Sequence, residues 1–140
     1  MLVSALMNRW STYRVAFLVT TVMLSTLSSK AQDQTAAAQT FAQSMLKLFD
    51  NGECSKLYDA FDESAKTGTR EQWVKICSTI LKQRGSVVNR SLANKTKSMG
   101  IYRFIFNTQC TEGKVFEDVG VSYKETEWKL VGFYVRPNLE

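Results

Sequence analysis

The stretch Thr69-Arg-Glu-Gln-Trp-Val-Lys-Ile-Cys-Ser-Thr-Ile-Leu-Lys-Gln-Arg-Gly85 carries its own start, face and stop. Thr69 and Gln72 stand at capping-box spacing: the threonine hydroxyl can accept from a free N–H of the first turn, and the glutamine can reach back to the Thr69 N–H. Trp73, Ile76, Cys77, Ile80 and Leu81 recur at i, i+3, i+4, i+7 and i+8, which puts them on one helical face. Glu71 lies four residues before Lys75, and Gly85 can take the positive φ that ends a helix. An apolar stripe of this kind must be covered. The largest apolar surface elsewhere in the chain is the strand-rich tail that follows, so the stretch predicts an α+β domain with this helix laid on a sheet.

After Gly85 the hydrophobic period changes from helical to alternating. Val87–Lys97 reads as a polar edge strand, with Arg90, Lys95 and Lys97 as charges that discourage edge-to-edge pairing. Ile101–Thr111, Lys114–Lys124 and Glu127–Arg136 read as three further strands, and Pro137 ends the last. A two-residue turn at Glu112-Gly113 pairs Phe106 with Val119, Phe104 with Val121 and Tyr102 with Tyr123. A turn at Glu125-Thr126 sets Trp128 beside Tyr123, Leu130 beside Val121 and Gly132 beside Val119. Under this register the aromatic set of one strand meets the valine set of the next on one face, and a one-residue slip would expose one set to water. Gly132 then falls on the inner face, where it would let the sheet bend.

Before Thr69, Gln34–Asp50 reads as a helix with Phe41, Met45, Leu48 and Phe49 as its stripe and Asn51-Gly52 as its stop. Glu53–Asp62 reads as a shorter helix carrying Leu57, Tyr58 and Phe61. If this second helix and the third form an antiparallel pair about Ser64–Gly68, Cys54 and Cys77 lie level. They would then be either a disulfide or two buried thiols, a choice that the Cα separation decides. Cys110 would stay unpaired.

At 140 residues the chain has room for one domain. Residues 1–31 read as a signal peptide: Arg9 and Arg14 supply positive charge, Val15–Leu27 is a short apolar run, and Ser29-Lys30-Ala31 offers small residues for cleavage. The run is shorter than the ~20 apolar residues a span requires and holds hydroxyl side chains, which argues against a membrane anchor. Residues 32–140 are the expected single domain, exported to a periplasm or secreted. Its charge also changes the reading of the whole. The formal +5 comes from 18 Lys and Arg against 13 Asp and Glu; without Arg9, Arg14 and Lys30 it falls to +2. A nucleic-acid partner loses most of its electrostatic basis. With no histidine anywhere, Ser-His-Asp and Cys-His catalysis are excluded, as is the commonest metal ligand; no metal or cofactor is expected.

The motifs resemble a family. Arg70-Glu-Gln-Trp73-Val74, the stop at Gly85, Arg90-Ser-Leu92, Tyr102-Arg-Phe104, Gly113, Glu117-Asp-Val119 and the closing Trp128-Lys-Leu-Val-Gly132-Phe-Tyr134-Val-Arg-Pro137 are similar to a bacterial family known as domain of unknown function 4019. The resemblance spans Phe41 to Pro137. It implies three N-terminal helices packed on a curved four-stranded antiparallel sheet, a cone-shaped roll akin to nuclear transport factor 2-like and cystatin-like proteins. It implies no catalytic residue. Related rolls include isomerases and dehydratases that use an acid and tyrosines in the cavity.

Two candidate sites follow from the strand alternation. Glu117 shares a face with Val115, Val119 and Val121, beside Thr108 on one neighbour and Tyr134 on the other. A lone carboxylate on an apolar concave face would have its pKa raised by desolvation, as acid–base chemistry requires; the plainer expectation is a structural acid hydrogen-bonded at the rim. Trp73 and Phe104 complete the candidate pocket, for a small apolar ligand, although at this spacing such residues more often form core. On the other face, Ile105, Phe116, Val131, Phe133 and Val135 form an apolar cluster that predicts a homodimer or an envelope-protein partner, unless the chain itself covers it. Three classes of function stand: a non-catalytic binding or interaction domain, which is favoured; a small cavity enzyme using Glu117 and Tyr134; and an envelope assembly domain dimerising through the sheet.

Overall fold

The computed structural model describes residues 30–138. Nearly all of the expected signal peptide lies outside the described residues. No helix among the described residues is long and apolar enough to cross a membrane. Residues 30–36 are helical and belong to an N-terminal unit; the sheet and its core lie in a second compact unit, Ala37–Glu140.

Helix α1 is helical over residues 30–50, α2 over Cys54–Asp59, and a single 3-10 turn follows at Glu63–Ala65. Helix α3 spans Arg70–Arg84. Its capping box is formed: Thr69 Oγ1 accepts from the Gln72 N–H at 3.2 Å, and Gln72 Oε1 accepts from the Thr69 N–H at 2.9 Å. Gly85 closes it at φ +71°; a Cβ there would lie 2.0 Å from Thr111 Oγ1, so the glycine is required for packing as well as for its dihedral. Four strands follow, β1 (Val87–Ser98), β2 (Ile101–Cys110), β3 (Gly113–Lys124) and β4 (Glu127–Pro137), in an antiparallel meander ordered β1-β2-β3-β4. The α+β class and the strand boundaries, to within a residue or so, match the expectation.

The helix at the centre is α1, not α3. Ala38, Ala42, Met45, Leu46 and Phe49, spaced i, i+4, i+7, i+8 and i+11, are all buried. They join Phe104, Phe106, Val119, Val121, Leu130 and Phe133 of the sheet in one apolar cluster. The alanines matter because a methyl lets a helix approach a sheet closely. Helix α3 buries only Cys77 and Arg84, while Trp73, Val74, Ile80 and Leu81 pack at the margin of the core and Ile76 is 55% exposed. The expected stripe on α3 is therefore real on one side and solvated on the other.

The facing of β2 and β3 holds, but the register moves by two. Phe104 pairs with Val119, Phe106 with Glu117 and Cys110 with Gly113. The turn is Thr111-Glu112, because its two N–H groups are held by carbonyls at the end of α3: Thr111 N–H by Ser86 (2.9 Å) and Glu112 N–H by Arg84 (3.2 Å). A two-residue shift keeps every side chain on its face. Between β3 and β4 the first pairs, Tyr123–Trp128 and Val121–Leu130, are those expected. Beyond them the register slips by one: Gly120 pairs with Gly132, Val119 with Phe133 and Glu117 with Val135. Val131 is the extra residue of a β-bulge. Gly132 thus lies opposite Gly120 on the outer face rather than inside.

Leu130 explains where the bulge sits. On the free edge of β4 it donates its N–H to the Ala60 carbonyl (2.9 Å), and its own carbonyl accepts from Asp62 (2.8 Å). This short parallel bridge, Phe61 to Leu130, ties the end of α2 to β4 and covers part of an otherwise open edge. Cys54 and Cys77 are disulfide-bonded with their Cα atoms 6.1 Å apart, joining α2 to α3. Cys110 is free and buried.

Candidate functional site

The candidate pocket residues divide between two places. Trp73 and Tyr134 line one cleft, whereas Glu117, Thr108 and Phe104 lie elsewhere on the inner face. The expected Glu117–Tyr134 neighbourhood does not form. The bulge at Val131 turns Tyr134 to the outer face, 62% exposed and paired with Asp118, and Val135 takes the place beside Glu117.

The cleft runs between β4 and the segment from α2 to the 3-10 turn, with a volume of about 220 Å³. Phe61, Trp73 and Phe133 form its aromatic wall, edge-to-face at 5.2 Å between Phe61 and Trp73 and at 6.3 Å between Trp73 and Phe133. Val131 and Gly132 of the bulge also line it, as do Tyr58, Tyr134, Ala65, Lys66 and Thr67. Local bonds hold these groups. Trp73 Nε1 donates to the Cys54 carbonyl at 3.1 Å, and the Tyr58 hydroxyl donates to the Gly68 carbonyl at 3.0 Å. Asp62 caps the 3-10 turn through the Ser64 N–H and accepts from Lys124 Nζ at 2.8 Å. The Lys124 hydrogen bond, with help from Ser64, pulls the Asp62 carboxyl down to about 2. The lining contains one charged group, Lys66, and no carboxylate. Such a surface can hold a molecule by burial and ring contacts.

Glu117 is fully buried, but it is not alone. Arg90 grips it with Nε at 2.6 Å and Nη2 at 2.9 Å, Thr108 Oγ1 donates to it at 2.6 Å, and Arg84 Nη1 stands 3.7 Å away. Both arginines also reach Asp50 at the end of α1: Arg84 Nη2 at 2.5 Å, Arg90 Nη1 and Nη2 at 2.7 and 2.9 Å. Two guanidiniums and two carboxylates thus form a charge-balanced cluster joining the ends of α1 and α3 to β1 and β3. Burial pushes the Asp50 carboxyl up, and the hydrogen bonds and charges of Arg90 and Arg84 outweigh it, holding Asp50 below the usual aspartate range. Burial likewise weakens Arg90's hold on its proton, and the two carboxylates more than reverse that. Arg84 also lies over the Phe49 ring at 4.7 Å and donates to Cys110 Sγ at 3.4 Å.

The apolar cluster expected on the outer face does not assemble. Phe133 is buried against Phe49 at 5.2 Å, and Val135 packs on the inner side. Both are moved there by the bulge, and Val131 lines the cleft. Ile105 and Phe116 remain outside, partly exposed, on either side of Asp118. Asp118 is only 3% exposed because Arg103 and Arg136 lie over it, Arg103 Nε at 2.7 Å and Arg136 Nη2 at 3.4 Å. A buried, paired carboxylate at the middle of this face removes the apolar continuity on which the partner expectation rested.

Asp50, Arg84 and Arg90 had a readable signal. Arg84 stands seven residues after Cys77, on the buried face of α3, and Arg90 alternates with Leu92 at inward positions of β1. A buried position occupied by a long cation requires a buried anion. Tyr58 was legible on the α2 face with Leu57 and Phe61, whereas Lys66 had no signal, because the short connection that places it has no period. No known protein-family model matches the chain, and no curated protein is similar enough to match it.

Proposed function

We propose that this protein is an exported, non-catalytic binding domain that holds a small apolar molecule in the cleft between the α2–3-10 segment and β4. The observation that carries the reading is the aromatic wall of Phe61, Trp73 and Phe133 around about 220 Å³ of space. Binding sites for drug-sized molecules run to roughly 300–1,000 Å³, so the occupant is smaller, of one or two rings or a short chain. Export is supported by the Cys54–Cys77 disulfide, a bond of oxidising compartments. In the same reading the sheet is the wall of a cone-shaped roll, and the chain is kin to the family its motifs resemble. Support for that comes from the helices on one face of a four-stranded meander with irregular registers in β1 and β4.

The acid–base alternative loses its geometry, since Glu117 and Tyr134 are on opposite faces and Glu117 is engaged by Arg90 and Thr108. Amide NMR titration with neutral one- and two-ring aromatic fragments tests the proposal. Shift changes should gather at Phe61, Ala65, Trp73 and Gly132–Tyr134, and Ala65→Phe, which fills the cleft, should abolish them while leaving the thermal midpoint within a few degrees. Perturbations centred on Glu117, or unaffected by Ala65→Phe, count against it.

A further inference from the structure

We infer that the ligand is a monoanion: a small molecule with an apolar aromatic or short aliphatic body and one carboxylate or similar acidic head. This rests on the cleft being the binding site, and adds what its single charge selects. Lys66 is the one charged residue in the lining, and no acid accompanies it there. Its side chain is held near the protein, only 17% exposed, with Nζ over the Tyr58 ring at 5.1 Å. An ammonium on an aromatic face beside apolar walls is partly desolvated, so an anion brought to it is held more strongly than on open surface.

The counter-ion Lys66 now has is easily exchanged. Glu63 pairs with Nζ at 2.5 Å, three residues away, but the Glu63 side chain is 87% exposed. Only the carboxylate end of this pair is solvated, so Glu63 can return to water as a ligand head takes its place, and Lys66 trades one anion for another. The Tyr58 hydroxyl hydrogen is committed to the Gly68 carbonyl, so of the two lining phenols it is Tyr134 that can turn to a ligand. Trp73 cannot contribute its N–H, because it is committed to the Cys54 carbonyl. Charge selection therefore falls to Lys66 alone. The cleft wall would meet the body and Lys66 the head, and a cation of the same shape would meet an ammonium at the mouth.

Three isosteric probes separate the parts of this inference. Binding of 1-naphthoate, 1-naphthamide and 1-naphthylmethylammonium to the disulfide-bonded protein is followed by amide NMR and by the indole N–H resonance of Trp73. The carboxylate should bind about 10-fold or more tightly than the amide, in keeping with a charge-assisted hydrogen bond, and the ammonium should bind weakest. The preference should shrink as salt rises. Lys66→Gln should bring the carboxylate to the affinity of the amide and leave the amide unchanged, with the melting temperature confirming that the variant is folded. Equal affinity for carboxylate and amide, or a preference that survives Lys66→Gln, overturns the monoanion inference while leaving the cleft as the site. Failure of all three probes to shift the cleft residues overturns the underlying reading as well.

Discussion

Trp73 Nε1 donates to the carbonyl of Cys54, the residue whose sulfur is bonded to Cys77 one turn further along the same helix. The indole and the disulfide therefore fasten α2 to α3 at one point, and Phe61 at the end of that segment rests its edge on the same indole. The cleft has a covalent hinge pin. Removing it should loosen the wall before it unfolds the domain.

Cys54→Ser/Cys77→Ser should accordingly lower stability by roughly 3 kcal/mol, the chain-entropy value for a loop whose ends are 23 residues apart. Urea unfolding with and without reductant measures it. The variant should also show faster exchange of the Trp73 Nε1 proton. A loss under about 1 kcal/mol with Trp73 unchanged would mean that packing alone holds α2 in place.

The cluster of Asp50, Arg84, Arg90 and Glu117 sets a second expectation. Truncating one member of a buried ion pair strands its partner, which typically costs about 3–5 kcal/mol. Glu117→Ala leaves Arg90 and Arg84 with Asp50 alone, so a loss of that order is expected in denaturant unfolding. Arg90→Ala should cost less than Glu117→Ala, because the Arg90 side chain keeps 19% of its surface in solvent where Glu117 keeps none, and Arg84 still neutralises the acids. The double variant should be less destabilised than the sum of the two, since the two share a bond. Strict additivity would show that the pair is not coupled.

Acid should weaken the fold through Asp50 and Asp62. Both have folded pKa values below the ordinary aspartate value of 3.8. Their contribution is present in full above the unfolded pKa and is lost as pH falls through the folded one. For Asp62 that window runs from about 4 down to about 2. Stability measured between pH 5 and pH 2 should fall with pH, and Asp62→Asn should flatten the slope at the low end. A slope in this range that Asp62→Asn leaves unchanged would assign the acid sensitivity elsewhere.

Much of this architecture was legible because it is periodic. Thr69, Gln72 and Gly85 announce α3 by chemistry that is local in sequence. The alternation from Tyr102 to Val121 fixes which side chains share a face, and a shift of two residues at Thr111-Glu112 leaves that intact. What was not legible depends on contacts distant in the chain. Ala38 and Ala42 are weak signals on a hydropathy scale, yet they mark the helix that approaches the sheet. The bulge at Val131 is set where Leu130 bonds to Ala60 and Asp62, some seventy residues earlier, and nothing in the alternation of β4 announces it. That one residue moves Phe133 and Val135 inward and Tyr134 outward, and so rearranges both candidate sites.

The bulge is therefore the feature that most needs a direct test, and adjacent residues supply one. With Val131 as an extra residue, Phe133 is 7% exposed against Phe49 and Val119 while Tyr134 is 62% exposed. A regular β4 would place them the other way round. Phe133→Ala should cost about 3–5 kcal/mol, the usual range for emptying a phenylalanine site in a core. Tyr134→Ala should stay within about 1 kcal/mol, as exposed substitutions generally do. Deleting Val131 should keep Phe133 inside and Tyr134 outside, because without the extra residue Gly132 still falls opposite Gly120 and Phe133 opposite Val119 in a regular strand. The comparison of the two alanine variants in urea reads the register directly: the reverse order of costs would place Tyr134 inside, beside Glu117, and return the acid to the pocket.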